Sequence, residues 1–313
     1  MTFFRAPLFL RWLAPLLLSG AALHAVNVRA QTLSIGLIAD RPQSELESQW
    51  LPEYLRAIGG DLDLLLHAGG IRHPDEACHD ALYLNRHERF EQSPAPLLYT
   101  PAALDWALCD TVRAHPYQKT ERLTFLRQVF FGTERSLGKA PLPVMRQSQS
   151  KRFRLYVENQ RLQLKNAVVL TLNLPENDNN FSFAAGRNGE FEERDQANRY
   201  WLEAGFRFAQ ANKADWLLIV ASADLDFERV MEDPRNPYHP LLSVLAQQLG
   251  RHALKVLWIS RGMRQHDRLV DQPRPEAHFW RVRSQDSLDP GVWTRIQLTP
   301  AGPRASSQYT PLR

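Results

Sequence analysis

The stretch Leu64 to Arg72, "LLLHAGGIR", runs apolar and then stops at two glycines. A run of this length, bounded by a turn signal, reads as a buried strand emptying into a tight turn. In α/β proteins the carboxyl ends of such strands are where ligands and chemistry sit. No reactive group stands at this turn, so the stretch indicates a fold class while leaving its site in question.

Working outward, Leu33 to Asp40 is a strand ending in an acid, and Leu46 to Ile58 has helical spacing and ends at Gly59-Gly60. Asp63 to His67 is then a second strand, parallel to the first by the usual crossover logic. Pro96 to Tyr99 reads as a third strand, and Ala102 to Arg113 and Glu121 to Phe130 as helices. After Pro143 the βαβ rhythm changes. Arg152 to Asn159 and Ala167 to Asn173 read as an antiparallel pair that opens a second sheet. Asp195 to Asn212 is a long helix, followed by strand Trp216 to Val220, helix Leu241 to Leu249 and strand Val256 to Ile259. Late strands lie near Phe279 to Val282 and Arg295 to Leu298. The predicted class is α/β with two mixed sheets flanked by helices.

The first thirty residues hold Arg5 and Arg11, the apolar stretch Trp12 to Val26, and Val28-Arg29-Ala30, and read as a cleaved export signal. Pro15, Gly20 and His24 interrupt the run, which falls short of the roughly 20 apolar residues of a spanning helix. The expected organisation is a signal at 1–30, one domain at 31–299 and a flexible tail at 300–313. Removing the signal takes three arginines and no acid, leaving 35 Lys and Arg against 34 Asp and Glu. A chain this close to neutral gives no support for a nucleic-acid or anionic-membrane partner. Cys78 and Cys109 are its two cysteines. In the oxidising compartment that export implies, periplasmic or secreted, they are expected to pair.

The order of elements, with the blocks Ile35 to Asp40, "DLDLLLHAGGI", "YTPAALDWALCD", "ERLTFLRQVFF" followed by "SLG", "RQS", "YVENQRL" and "TLNLPENDNN", resembles an exported bacterial branch of the calcineurin-like metallophosphoesterases. The resemblance implies two stacked mixed sheets covered by helices, a metallo-dependent phosphatase-like α/β/β/α sandwich. It also implies a site in which carboxylates, an Asn and several imidazoles hold two divalent metals just beyond the strands.

Residue by residue, this chain keeps little of that ligand set. Asp40 matches the first carboxylate, but Pro42 stands where a His commonly follows. The bridging Asp of a Gly-Asp pair is replaced in Gly69-Gly70. The block resembling Gly-Asp-Asn-Glu-Trp reads Ala102-Ala103-Leu104-Asp105-Trp106, with leucine for the amide ligand. Ala221-Ser222-Ala223 and Ser260-Arg261-Gly262-Met263-Arg264 stand where imidazoles are wanted. A single carboxylate leaves a divalent ion almost fully hydrated, so no metal cofactor is expected.

The residual pocket candidates are Asp40, Arg41, His67, Asp105 and Arg264. Asp40 and Asp105 form a conceivable acid–base pair, set against a capping role for Asp105. His67 is weighed as a hydrogen-bonded structural residue rather than a ligand. Arg41, Arg261 and Arg264 are weighed as anion binders or as surface cations. "LPENDNN" reads as a polar turn and not a calcium loop. His266-Asp267 has no Gly-x-Ser-x-Gly nucleophile to accompany it. The leading functional expectation is an exported, catalytically inactive domain that binds an unknown ligand or envelope protein. The alternative is a phosphoesterase or other hydrolase with a rearranged metal site.

Overall fold

The computed structural model describes residues 1–2, 32–112, 117–184, 186, 188–262, 269–274, 278–285 and 289–311. Beyond Met1 and Thr2 the expected signal lies outside them, as do Arg264 and His266-Asp267. Twelve strands build two sheets among the described residues. The first, in the order β12 (Gly302–Tyr309), β11 (Val292–Thr299), β1 (Leu33–Ile38), β2 (Leu64–His67), β3 (Leu97–Tyr99), has five strands. The second has seven: β4 (Met145–Arg146), β5 (Gln160–Leu164), β6 (Ala167–Thr171), β7 (Trp216–Val220), β8 (Lys255–Ser260), β10 (Phe279–Arg283), β9 (Val270–Arg274). Both are mixed. β1, β2 and β3 run parallel, as do β6, β7, β8 and β10, while β11, β12, β4, β5 and β9 add antiparallel neighbours.

Strand alternation decides the layering. Leu33, Ile35 and Leu37 share one core with Leu64, Leu66, Val169, Leu218 and Leu257, residues drawn from both sheets. Their sequence neighbours Leu65, Val168, Leu217 and Val256 point the opposite way, into two outer cores. Because successive side chains in a strand face opposite sides, strands apolar on both faces become the two middle layers of a sandwich. Helices α1 (Glu45–Gly59), α2 (Asp80–Phe90) and α3 (Lys119–Phe130) cover the first sheet, and α5 (Gly189–Ala211), α6 (Phe227–Glu232) and α7 (His239–Arg251) the second. The α/β/β/α arrangement is therefore present.

Local chemistry explains the individual elements. Ser44 caps α1 by accepting from the Glu47 amide, and Leu51, Leu55 and Ile58 form its buried stripe. Cys78 and Cys109 are joined by a disulfide that ties the entry of α2 to the loop after β3. No described helix is long and apolar enough to cross a membrane.

Three expectations need correction. The tail read as flexible contains β12, paired with β11 from Gly302 to Tyr309 in full register. Its half-exposed run of Pro, Arg, Ser and Gln suits an edge strand with one wet face. The strand expected at Arg152 to Asn159 lies later, at Gln160–Leu164, and a 3-10 turn occupies Lys151–Phe153. The polar pair Glu158 and Asn159 is fully buried in side-chain hydrogen bonds instead of continuing a ladder. The helix expected from Ala102 begins as a 3-10 turn at Ala103–Asp105 and continues as turns, because the Asp105 side chain bonds backbone groups around it.

Candidate functional site

The Gly69-Gly70 turn lies between two carboxylates. Both glycines are left-handed, with φ of 88° and 79°, a region that only residues without a Cβ enter freely. A Cβ on Gly70 would lie 2.1 Å from Asp40 Oδ1, and one on Gly69 would lie 2.5 Å from the Ala102 Cβ. The space a bridging side chain would need is thus occupied by Asp40 itself.

Asp105 approaches from the other side. Its Oδ1 accepts from the Ile71 amide at 2.8 Å, and its Oδ2 accepts from the Gly70 and Ala102 amides at 3.1 and 2.9 Å and from the Tyr99 hydroxyl at 2.7 Å. The side chain is fully buried. Three donors converge on Oδ2 and one on Oδ1, so Asp105 organises the strand-end loops.

His67 is equally committed. Its Nδ1 accepts from the Gly69 amide at 3.1 Å, which leaves Nε2–H to donate to the Arg41 carbonyl at 2.7 Å. Burial pushes its pKa down to about 4, so the ring is neutral at physiological pH. Arg41 is nearly buried, donating to the Asp40 and Asp289 carbonyls and lying 3.5 Å from Glu47. It braces the loop after β1 rather than presenting a cation to a pocket.

Among the described candidates, Asp40 has a carboxylate oxygen to spare. Its Oδ2 accepts from Arg261 Nε at 2.6 Å, while Oδ1 is buried with no hydrogen-bond partner among the described residues. Burial pushes its pKa up to about 6, against the pull of the Arg261 guanidinium. Arg261 also reaches Glu176 Oε1 at 3.3 Å, and Glu176 Oε2 accepts from the Ala103 amide at 2.9 Å. Burial disfavours the charge of Arg261, but Glu176 and Asp40 outweigh it and hold the group above its ordinary pKa. A fixed guanidinium thus joins the carboxylates beyond β1 and β6.

These residues do not fit a dinuclear metal site. Asp105 is buried and held by three amides and a tyrosine hydroxyl, Arg261 is already paired with both Asp40 and Glu176, and Leu104 offers an alkyl group. Ser222 is buried, with its hydroxyl on the Leu174 carbonyl. Among the described residues no group of three or more His, Cys, Asp or Glu is placed to hold a metal ion.

No protein-family model matches the chain, and no curated protein matches it in sequence. Among solved structures it is similar to GAP50, the anchor in the inner membrane complex of Plasmodium, at TM-score 0.47 and 10% identity, covering 90% of this chain and 89% of that one. It is also similar to a 5′-nucleotidase-type protein from Staphylococcus aureus, at TM-score 0.42 and 9% identity, covering 89% of this chain and 53% of that one. A purple acid phosphatase from yellow lupin seeds gives TM-score 0.40 and 8% identity, covering 86% of this chain and 50% of that one. The chain therefore spans about half the length of the last two.

Two features were hidden in the sequence. Glu176 begins α4 (Glu176–Asn179), which is a left-handed turn: Asn177, Asp178, Asn179 and Asn180 have φ of 59°, 53°, 56° and 57°. Asn and Asp tolerate this region singly, and a run of four is held only where its surroundings over-determine it. The holding groups are buried. Arg194 donates to the Asn179 side chain at 2.6 Å, to its carbonyl at 2.7 Å and to the Asn173 carbonyl at 3.2 Å. The Tyr238 hydroxyl accepts from the Asn179 amide and donates to the Pro175 carbonyl. The available signal was polar: Arg194 and Asn198 sit on the buried stripe of α5 among Phe191, Trp201 and Leu202.

Proposed function

We propose that this chain is an exported, non-catalytic member of the calcineurin-like metallophosphoesterase fold, acting as a binding or scaffold domain. The observation that carries the reading is the Asp40–Arg261–Glu176 arrangement. A permanent cation belonging to the chain bridges two of the carboxylates at the strand ends and stands where a divalent ion would have to bind them. The commitment of Asp105 to three backbone amides and a tyrosine supports the same reading, as does Gly70, where a carboxylate side chain would collide with Asp40. The buried Cys78–Cys109 disulfide supports an oxidising compartment, periplasmic or extracellular.

The test is elemental analysis of protein recovered from the exporting compartment, with hydrolysis of an activated aryl phosphate diester assayed in added manganese. The expected result is no stoichiometric Mn, Fe or Zn and no hydrolysis above the buffer rate. Two tightly held metal equivalents, or turnover abolished by a chelator, overturn the reading in favour of a rearranged phosphoesterase.

A further inference from the structure

The carboxyl ends of the second sheet open into a cleft of about 780 Å³, walled by the left-handed turn α4, the loop Ala223 to Asp226, α6 and β10. This lies within the range of small-ligand and peptide-side-chain sites. Its two inner arginines are already neutralised. Arg283 donates to Asp224 at 2.7 Å and Asp271 at 2.9 Å, while Arg281 grips both oxygens of Asp271 at 2.7 and 2.8 Å. The wall therefore offers little to an anion. Among the described residues its exposed charged side chains are Asp178, Asp226 and Glu228 against Arg229, an acidic excess that faces water.

A second space adjoins the first. A groove of about 290 Å³ between α6 and α7 is lined by Met231, Leu242, Leu245, Leu249 and Phe279, and shares Phe227, Glu228 and Pro273 with the cleft. An acidic cleft adjoining an apolar groove is complementary to a chain segment carrying basic residues beside an apolar anchor. Resting on the reading of this chain as a binding domain, we propose that cleft and groove together receive a basic, apolar-anchored segment of a partner protein. Lys or Arg would face Asp178, Asp226 and Glu228, with a Leu-sized side chain between α6 and α7.

The probe is a twelve-residue peptide with Lys and Leu at helical spacing, titrated calorimetrically into the mature chain beside a Glu-for-Lys peptide and a Ser-for-Leu peptide. The Lys/Leu peptide is expected to bind with Kd of roughly 10–100 μM at low salt, weakening about tenfold when salt rises from 50 to 300 mM as exposed charges are screened. Glu228→Lys is expected to weaken it about tenfold or more by placing a like charge at the shared rim, and Met231→Ser to weaken it without changing the salt dependence. Asp178→Asn serves as the second charge variant should Glu228→Lys fold poorly, since Asn also suits the left-handed turn. The proposal is overturned by no binding of the Lys/Leu peptide, by equal binding of the Glu-for-Lys peptide, or by unchanged affinity in folded charge variants. A mononucleotide or anionic vesicle binding in the cleft instead also overturns it. Metal content and diester hydrolysis in the parent report separately on the non-catalytic reading, so the two failures are distinguishable.

Discussion

The carboxyl ends of the two sheets handle charge in opposite ways. Beyond β1, β2 and β3, Asp105 is spent on backbone amides, His67 on a carbonyl and an amide, and one oxygen of Asp40 on Arg261. Beyond β6 and β7, a buried Arg, Asn and Tyr network forces a turn into left-handed backbone and leaves Asn177 and Asp178 exposed beside a cleft. At the first end polar groups hold the loops closed. At the second they hold a surface open. Polar density alone therefore does not mark a working site; what matters is whether the groups satisfy one another or face solvent.

The largest expected effect that would break this comparison is Asp105→Ala, which orphans three buried amides and a tyrosine hydroxyl. A loss of about 4 kcal/mol in urea unfolding is expected, whereas a loss below about 1 kcal/mol would remove Asp105 from its organising role. Cys78→Ser opens a link between positions 31 residues apart and is expected to cost about 3 kcal/mol. It should loosen the closed end alone, as read by amide exchange in α2 and the loop after β3.

Asp40 sharpens the comparison through pH. Its carboxyl lies at about 6 when folded against an ordinary value of 3.8, so the folded state holds its proton more tightly. The cost of keeping it charged is present above about pH 6 and disappears as pH falls toward 4. Asp40→Asn should therefore gain stability relative to the parent as pH rises from 4 to 7, by at most about 3 kcal/mol. A pH-independent difference would contradict the buried placement. In this variant His67 remains, and its sign is opposite: its folded value of about 4 lies below the ordinary 6.5, so stability is lost as pH falls through that interval.

Gly70→Ala should cost about 2 kcal/mol, combining left-handed backbone strain with displacement of Asp40; a neutral result would mean the closed end has room to spare. The smallest effect belongs to the open end. Glu228→Gln, on the exposed rim, should change stability by less than about 0.5 kcal/mol, so that any loss of peptide affinity there reports on binding alone.

How much of this was legible depends on range. The βαβ opening, the crossover to a second sheet and the α/β class follow from apolar runs such as Leu64 to Leu66 and Val168 to Leu170, where local pattern and burial agree. The left-handed turn was not legible, because Asn and Asp permit that backbone without requiring it. The order Glu158-Asn159 read as strand because their partners, Arg127, Gln147 and Asn198, are distant along the chain. The edge strand β12 read as a tail because its residues carry no apolar alternation, and the backbone ladder that pairs it with β11 leaves no side-chain signal.

Sequence by itself determined the α/β class with two mixed sheets, since the apolar runs that make the strands rest on side-chain type at fixed positions. Tertiary structure alone decided that Arg261, 221 residues from Asp40, closes one set of strand ends, and that Arg194 and Tyr238 hold the other open. Those outcomes depend on which distant polar groups meet in a low-dielectric interior, where each must find a partner, and no local pattern encodes that meeting.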